Sequence, residues 1–344
     1  MQYFPTFLFA LVTFLFANGC STSGVTEQLA PRSWALAIHG GAGHFGEEDL
    51  SAGQQAAYTE SLTAAVEIGE RILIEGGTSL DAVEAVIRFL EDDSLFNAGR
   101  GAVFTSEGVQ ELDASIADGA TRNCGAVTGI RGFKHPISVA RSVMDSSEHV
   151  FFSGHGAGVF ASALGHDTAD GDWFRTEKAY QRYLRAKRRA EETDVLADKR
   201  GTVGCVALDQ AGNLAAGTST GGMTYKQHGR IGDSPVIGAG TWADNRSCAV
   251  SATGWGEYFI RTGVAQDVHA RMIYGDESLG EACRGAIFDE MGALGGDGGI
   301  VALDRNGKIA LVCNSAGMFR AWATPTDSGV AMFGATQEGT VEVY

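Results

Sequence analysis

The sequence predicts an α+β fold, with a layer of helices against a β-sheet, and two patterns indicate it. In the first half, the apolar run at 34–38 predicts a buried strand and is followed by two consecutive helical patterns. In the second half, the runs 203–208 and 301–304 each enter a glycine-containing turn and then a further apolar strand, as β-hairpins do. The 344 residues are enough for one large domain, or two ordinary ones, with a sizeable core.

The helical patterns have ends that can be identified in the sequence. In the first, apolar residues recur at helical spacing over 62–73, and Gly76-Gly77 is the stop signal. The second starts at Thr78, an N-cap residue with Asp81 three positions on. We also expect a helix that begins at His135-Pro136, a helix over 255–274, short strands at 102–105, 110–116, 125–130, 213–218 and 247–253, and a tight glycine turn at 39–43.

Residues 1–19 have the features of an export signal. The apolar run at 4–17 is too short to span a bilayer, and it ends in small residues just before Cys20. This arrangement resembles a bacterial lipoprotein signal, which predicts lipidation of Cys20, a tether over 20–32 and an exported protein, periplasmic or membrane-anchored. Two departures leave an ordinary cleaved signal peptide open, because the signal contains no Lys or Arg and Ala17 stands where leucine is commoner.

Charge and cysteine content exclude two classes of protein. The formal net charge of −16 argues against a nucleic-acid partner or an anionic membrane surface, both of which require a basic face. Contact with a membrane is therefore expected only through the lipid anchor. Apart from Cys20, the cysteines are dispersed, odd in number and without a C-x-x-C pair, so a disulfide framework is not expected. They are Cys124, Cys205, Cys248, Cys283 and Cys313.

The pair Gly201-Thr202 lies where a charged run gives way to an apolar strand. The run at about 176–200 predicts a solvated helix that frays into a mobile linker, although an ordinary surface helix fits it too. A cut after Gly201 would give Thr202 a free α-amine, whose ordinary pKa of about 7.7–8 suits a general base for its own hydroxyl. Gly201 tolerates the strained backbone that an N→O acyl shift requires. The alternative is a loop glycine and a strand-starting threonine.

Five glycine- and threonine-rich clusters occur in order along the chain. They are His39-Gly40-Gly41-Ala42-Gly43; residues 96–104; Gly201-Thr202-Val203-Gly204; residues 218–223 leading into 229–235; and residues 252–257. In this order they closely resemble the plant-type asparaginase and isoaspartyl peptidase family of N-terminal-nucleophile hydrolases. The resemblance covers about residues 33–325, and its most specific motif is T-S-T-G-G followed by G-R-x-G-D-S-P.

The resemblance implies a catalytic role for each matching residue. Thr202 corresponds to the nucleophile, which is freed by autocleavage after Gly201 and uses its own amine as the base. Thr220 corresponds to the second threonine, which hydrogen-bonds to the nucleophile and polarises it. The Thr253 hydroxyl and the Gly254 N–H correspond to the oxyanion hole, in which a single donor is typically worth about 10²–10³ in rate.

The resemblance also implies the substrate contacts. Arg230 corresponds to the arginine that holds the substrate α-carboxylate in its bidentate fork, and Asp233 to the aspartate that takes the α-ammonium. Gly256 corresponds to a further substrate-binding position. Asn97 and the H-G-G loop correspond to the segment packed against the scissile turn. No cofactor is expected for catalysis, and a structural sodium ion is implied at the main-chain carbonyls of Leu90, Glu91, Asp93, Phe96, Ala98 and Arg100.

The resemblance also implies a fold, a subunit organisation and a reaction. The fold is a four-layer αββα sandwich of the N-terminal-nucleophile hydrolase type. The α subunit comprises 33–201 and the β subunit 202–344, and two αβ units form a dimer. Thr202 attacks the side-chain amide of L-asparagine or of a β-aspartyl peptide, and water then releases L-aspartate from the threonine ester.

Three alternatives remain at the level of sequence. An exported glycosylasparaginase-like hydrolase shares the Thr, Arg and Asp set, but it tends to have asparagine where Gly221 stands. A binding lipoprotein that does not mature would be expected to have lost Thr202 or Thr253, and both are present. A threonine hydrolase acting on proteins would lack the clamp for the two α-groups. Trp255 departs from the family pattern, since a small residue is common there, and it is expected to narrow the leaving-group side.

Overall fold

The computed structural model describes residues 1–2, 33–192, 201–334 and 340–344. Residues 32–344 form one compact unit, and the fold is that of this unit. The predicted signal, the lipidation site Cys20 and the tether lie outside the described residues, apart from Met1 and Gln2. Within the described ranges, no helix combines the length and the apolar character needed to cross a membrane.

The chain folds into a mixture of strands and helices, which confirms the predicted α+β class. The strands are β1 Ala35–Gly43, β2 Leu112–Asp118, β3 Cys124–Ile130, β4 Phe151–Ser153, β5 Val203–Leu208, β6 Leu214–Thr220, β7 Thr241–Ala243, β8 Cys248–Gly254, β9 Gly298–Asp304, β10 Ile309–Cys313, β11 Gly317–Ala323, β12 Ser328–Phe333 and β13 Thr340–Val343. The helices are α1 Ala52–Ile74, α2 Ser79–Asp92, α3 Pro136–Ser146, α4 Gly154–Ala163, α5 Gly171–Phe174, α6 Glu177–Glu191, α7 Gly256–Thr262, α8 Val264–Tyr274 and α9 Leu279–Arg284.

The described strands form two sheets. An eight-stranded sheet has the order β12-β11-β1-β5-β6-β2-β3-β4, and a five-stranded sheet has the order β13-β10-β9-β8-β7. The pairings are antiparallel except for β3 with β4. The predicted hairpins are confirmed as β5–β6 and β9–β10. Strand β5, which begins directly after Thr202, therefore lies in the middle of the larger sheet.

Three apolar clusters hold these elements together. The first joins α1, α2 and α3 to one face of the larger sheet, and the third joins α7, α8 and α9 to the smaller sheet. The second contains side chains of both sheets, such as Ala37, Val206 and Leu303. All of β1 and β5 is therefore buried, because each strand is covered on both faces, and β5 and the first four residues of β1 are apolar runs in the sequence.

Several local signals are confirmed. The Thr78 side chain accepts a hydrogen bond from the Asp81 N–H at 3.1 Å and so caps α2. Helix α3 begins with proline, as predicted. Cys205, Cys248, Cys283 and Cys313 are buried, and Cys124 is partly exposed. Residues 177–191 of the predicted linker region form α6, and residues 193–200 lie outside the described ranges.

Three predictions of local structure are wrong. The glycine turn expected at 39–43 is instead the end of β1, which pairs with β11 on one side and contains a bulge between His39 and Gly41. No strand forms at 102–105, because the Val103 N–H binds the Asn97 side chain and the Phe104 carbonyl accepts from Tyr225 in a loop. The helix expected over 255–274 is broken at Gly263, which has φ 60°.

Candidate active site

The candidate nucleophile lies at the start of β5, in the centre of the larger sheet. Thr202 Oγ1 is 3.1 Å from Thr220 Oγ1, which is at the end of the neighbouring strand β6. Thr220 Oγ1 also accepts the Gly222 N–H at 2.9 Å, and this bond fixes the second hydroxyl against the turn that follows the strand. The structure therefore brings together the two threonines that the sequence singled out.

Asn97 holds the peptide that precedes Thr202. Its N–H donates to the Gly201 carbonyl at 2.7 Å, and its side-chain amide donates to the Gly222 carbonyl at 2.7 Å. Its side-chain oxygen accepts the Val103 N–H at 2.9 Å, and its own carbonyl accepts the Gly221 N–H at 3.0 Å. Asn97 thus ties the scissile turn to the turn behind Thr220.

The Gly201 backbone is held in a conformation that few other residues adopt. Its φ is +116°, in the region that favours glycine. A Cβ on Gly201 would lie 2.7 Å from the Asn97 Cβ, and a Cβ on Gly41 would lie 2.5 Å from the Gly201 Cα. The segment after His39 and the Asn97 loop therefore close on this peptide from two sides.

His39 contacts the main chain of Thr202 from beneath the site. Its Nδ1 is 3.2 Å from the Thr202 carbonyl oxygen, and its Nε2 is 2.9 Å from Ser251 Oγ on β8. Burial lowers the pKa of His39 to about 3, so the ring is neutral at physiological pH. The sequence motif pointed to this segment, but it gave no role to the histidine.

The predicted oxyanion residues lie at the end of β8. Thr253 is buried, and its Oγ1 accepts the Ala42 N–H of β1 at 3.2 Å. It lies two residues beyond Ser251 and so faces the same side of the strand. Gly254 has φ +153°, and a Cβ there would lie 2.5 Å from the Asp297 carbonyl oxygen, so the position requires glycine. This end of β8 thus faces the segment that packs on Gly201.

Arg230, Asp233 and Gly256 converge, as the sequence predicted. A Cβ on Gly256 would lie 2.7 Å from Asp233 Oδ1 and 3.0 Å from Arg230 Nη2. Burial raises the pKa of Asp233 to about 7, although its own backbone N–H and the Arg230 charge act in the opposite direction. Among the described residues, Asp233 Oδ2 is buried without a hydrogen-bond partner, which marks it as an acceptor for a donor from outside the chain.

Arg230 has an acidic partner that sequence reasoning did not assign. Its Nε and Nη2 donate to the Glu257 carboxylate at 2.9 and 2.8 Å. Burial acts to lower the pKa of Arg230, but the bonds from Glu257 and the nearby charges of Asp233 and Asp113 raise it on balance. Glu257 lies in the first turn of α7. Its membership of the cluster at 252–257 was the signal in the sequence that could have pointed to it.

A buried ion pair lies next to the turn that follows β6, and sequence reasoning missed it as well. Lys226 Nζ is 3.6 Å from Asp113 Oδ2 and donates to the Glu111 carbonyl at 3.1 Å. Asp113 pairs directly with Thr220 between β2 and β6, so the two side chains share a face. A Cβ on Gly222 would lie 3.2 Å from Lys226 Nζ. A lone lysine in a loop usually indicates a solvated charge, so the sequence gave no signal for this pair.

The loop implied as a sodium site lies between α2 and Asn97, and it has features that fit a hard cation. Leu90 and Glu91 are in the last turn of α2, where carbonyls lack helical partners. A Cβ on Gly99 would meet the Glu91 carbonyl oxygen, and a Cβ on Gly101 would meet that of Phe96. Carbonyl oxygens are the donors that such an ion prefers, although those of Asp93 and Ala98 already accept the N–H groups of Phe96 and Gly101.

Comparisons with known proteins agree with the geometry. A family model described as Asparaginase matches residues 32–332. The chain is 47% identical over 302 residues to the isoaspartyl peptidase of Escherichia coli strain K12, which covers 85% of this chain and 94% of that protein. It is 41% identical over 319 residues to a probable isoaspartyl peptidase/L-asparaginase 2 of Arabidopsis thaliana, covering 85% and 96%. It is 38% identical over 293 residues to an isoaspartyl peptidase/L-asparaginase of Bos taurus, covering 85% and 93%.

The family match extends over Thr202, over the strands that carry Thr220 and Thr253, and over the segment that carries Arg230 and Asp233. The comparisons confirm the resemblance found in the sequence. The chain therefore belongs to this asparaginase family of enzymes, whose members are N-terminal-nucleophile hydrolases.

Proposed function

We propose that the chain is an autoproteolytically activated amidohydrolase that hydrolyses β-aspartyl dipeptides and L-asparagine and releases L-aspartate. The observation that carries the proposal is the junction at Thr202. A glycine with φ +116°, a conformation that other residues rarely adopt, precedes a threonine whose hydroxyl faces a second threonine at 3.1 Å. The names of the relatives indicate the same two substrates.

Maturation begins when Thr202 Oγ attacks the Gly201 carbonyl carbon. The oxyanion that forms is stabilised by the Asn97 N–H, which is already 2.7 Å from that carbonyl oxygen. The C–N bond breaks, the α-amine of Thr202 takes a proton, and Gly201 is left as an ester on the threonine oxygen. Water then hydrolyses the ester, and the products are a Gly201 carboxylate and a Thr202 with both amine and hydroxyl free.

We expect Gly41→Ala to slow this cleavage by at least about tenfold. Its Cβ would lie 2.5 Å from the Gly201 Cα and would push the scissile turn away from Asn97, and displacements of about 1 Å cost about 10² in rate. The rate is read from intact mass after timed incubation. Gly76→Ala is the matched control, because Gly76 also has positive φ, +83°, but a Cβ there meets nothing within 4 Å. Equal cleavage rates for the two variants would contradict the proposed role of this contact.

The freed amine then acts as the base for the hydrolytic reaction. Thr202 Oγ attacks the side-chain amide carbon of the substrate, and the oxyanion rests on the Thr253 hydroxyl and the Gly254 N–H. Thr253 Oγ1 accepts from Ala42, so its own proton remains to be donated to the oxyanion. Ammonia or an amino acid leaves, and water releases L-aspartate from the ester.

Specificity comes from recognition of both α-groups. The buried oxygen of Asp233 takes the α-ammonium. Glu257 occupies the Nε and Nη2 edge of Arg230, and Nη1 donates to no acceptor among the described residues, so this nitrogen is left for the α-carboxylate. An α-aspartyl peptide has its α-carboxylate in the peptide bond, so it leaves Arg230 Nη1 without an acceptor, although Asp233 can still take its α-ammonium.

The test is a comparison of β-Asp-Leu, α-Asp-Leu and L-asparagine with the matured protein. We expect aspartate from the first and third substrates and at least about 10³-fold less from the second, because α-Asp-Leu has no free α-carboxylate for Arg230 and no side-chain amide for Thr202 to attack. Release of aspartate from α-Asp-Leu at a comparable rate would contradict the clamp. No release from any of the three by a fully cleaved chain would contradict the proposed activity.

The geometry argues against the glycosylasparaginase-like alternative. That reading places asparagine where Gly221 stands. A Cβ on Gly221 would lie 2.6 Å from Asn97 Oδ1 and 2.8 Å from the Ala102 Cβ. The position therefore has no room for a side chain unless the Asn97 loop shifts.

The finer features of the family are proposed with the same function. The helices and sheets form the four-layer αββα sandwich, and the α and β subunits pair as a dimer of αβ units. The carbonyls at 90–100 hold a structural sodium ion, which would stabilise the loop that carries Asn97. Export and the lipid anchor at Cys20 concern residues outside the described ranges and stay predictions from the sequence.

A further inference from the structure

A chain of buried polar side chains crosses from one sheet to the other beneath Thr202. Ser251 Oγ lies 2.6 Å from Thr218 Oγ1, which accepts from Thr241 Oγ1 at 2.6 Å. Ser115 Oγ donates to Thr241 Oγ1 at 2.8 Å. With His39, these side chains have no measurable exposure. We refer to Ser251, Thr218, Thr241 and Ser115 as the hydroxyl chain.

The partners of His39 fix its tautomer. The Thr202 carbonyl oxygen can only accept, so the proton of the neutral ring is on Nδ1 and is donated to it. Nε2 then has only a lone pair, and it accepts the Ser251 hydroxyl proton, for which the Gly217 carbonyl at 3.0 Å is a competing acceptor. Thr218 is left to donate to Ser251 or to the Gly240 carbonyl, which lies 3.0 Å away. The hydroxyl chain thus holds the ring in the one protonation state that reaches the nucleophile residue.

Thr202 is poorly restrained by the sheet itself. Strand β5 begins at Val203. Its pairing with β1 starts at Gly204, opposite His39, and its pairing with β6 starts at Val203, opposite Ser219, so neither ladder includes Thr202. In the uncut chain, Asn97 also holds the preceding carbonyl. The cut removes that connection. The Thr202 residue is then held by its link to Val203, by Thr220 and by the bond from His39 to its carbonyl oxygen.

We propose that His39 is a positioning residue that fixes the main chain of Thr202 in the matured enzyme, and that the hydroxyl chain fixes the His39 ring. The inference rests on the proposed function, since it assigns His39 to the same site. Arg230 and Asp233 are on a separate turn, so substrate binding is left intact when this restraint is lost. The effect therefore falls on kcat and leaves KM unchanged.

The test uses three substitutions at His39 with β-Asp-Leu as substrate. Asparagine places an amide N–H near the former Nδ1, glutamine places one near the former Nε2, and leucine places none. After intact mass has shown cleavage at Thr202, we expect kcat of His39→Leu and His39→Gln to fall by about 10²-fold, with KM within twofold. The kcat of His39→Asn should be at least about tenfold higher than that of His39→Leu.

A second buried Ser–His pair supplies the control. Ser247 Oγ, directly before β8, and His269 Nδ1, on α8, are 2.6 Å apart, and neither contacts Thr202 in any hydrogen bond among the described residues. His269→Leu also removes a buried hydrogen-bonded ring, so it measures the effect of general destabilisation. We expect kcat and KM of this variant to stay within about twofold of the parent protein when measured well below its melting temperature.

The outcomes separate this inference from the proposed function. A parent protein that does not cleave, or that cleaves and does not release aspartate, overturns the function itself. If the parent is active, two results overturn only the role of His39. One is an equal kcat for His39→Asn and His39→Leu, and the other is a defect of these variants that appears in KM and not in kcat. If His39→Leu fails to mature, Ser251→Ala replaces it, because this variant keeps the Nδ1 donor and removes the anchor of the ring. We expect its kcat to fall about threefold to tenfold, and an unchanged kcat overturns the inference.

Discussion

Thr202→Ala is expected to give a single uncut chain without hydrolytic activity. The methyl side chain cannot attack the Gly201 carbonyl, so neither the ester nor the free α-amine forms. Loss of a catalytic nucleophile typically costs about 10⁶ in kcat, so residual release of aspartate from β-Asp-Leu should be undetectable. The measurement is intact mass and N-terminal sequencing of protein that lacks residues 1–20, incubated at neutral pH.

Thr202→Ser is the matched control for this substitution. It keeps the hydroxyl that faces Thr220 and loses only the methyl group. We expect two fragments with a new N-terminus at residue 202, formed more slowly than in the parent protein, and measurable hydrolysis. A Thr202→Ala chain that still cuts at this bond would rule out the proposed nucleophile, whereas a parent protein that stays a single chain would favour the interpretation as a binding protein.

Asp233→Asn is expected to lose substrate binding and to gain stability. The neutral amide cannot pair with the α-ammonium, and removing one partner of a buried charge pair costs about 2–5 kcal/mol. We therefore expect kcat/KM for β-Asp-Leu to fall about 10²–10³-fold, mainly through KM. In the parent protein, KM should rise as the pH falls below about 7, because the pKa of Asp233 is raised to about 7 and its neutral form binds the ammonium poorly.

The sign of the stability change follows from the same pKa. Asp233 has a higher pKa in the folded protein than the ordinary value of about 3.9, so the folded state resists its ionisation. The stability associated with the neutral carboxyl is fully present below about pH 4 and is lost as the pH rises through 7. At pH 8, Asp233→Asn should therefore raise the free energy of unfolding by roughly 1–3 kcal/mol, measured by urea denaturation of the uncut Thr202→Ala background.

In the same Thr202→Ala protein, Asp244→Asn is expected to change the free energy of unfolding in the opposite direction. Burial acts to raise the pKa of Asp244, but hydrogen bonds from Arg246 lower it on balance. A lowered pKa contributes stability above the unfolded value that is lost as the pH falls, so this variant should be less stable than its parent at pH 8. If both substitutions changed stability in the same direction, burial of Asp233 would not be the cause of its raised pKa.

The sequence predicted those elements that are determined by interactions within a short segment of the chain. Thr78 identified the start of α2 because its cap bond is formed within one turn, and β5 was found with its observed bounds because both of its faces are buried. The His39–Gly43 segment was interpreted wrongly because its strand conformation depends on pairing with β11, far along the chain. Lys226 and Ser251 could not be assigned, because their burial and partners depend on contacts between distant segments.

The site shows the same limit. Thr202, Thr220, Arg230 and Asp233 were identified only because whole motifs resembled a family, since each residue alone has an ordinary structural explanation. Glu257 stood in a quoted motif and received no role, because nothing in its spacing from Arg230 indicates a bond between them. Chemistry that depends on pairs of residues distant in the sequence is therefore visible only after folding.

The order of strands in the larger sheet has a consequence for the fate of the matured protein. A cut after Gly201 assigns β1, β2, β3 and β4 to one fragment and β5, β6, β11 and β12 to the other. In the sheet, β1 lies between β11 and β5, so the two fragments are interleaved. A precursor refolds as a single chain at any dilution, whereas the cut protein must first bring two partners together, which makes its recovery depend on concentration. If the chain matures as proposed, unfolding after the cut would be irreversible in dilute solution, and the supply of active protein would depend on newly made chains that fold before they are cut.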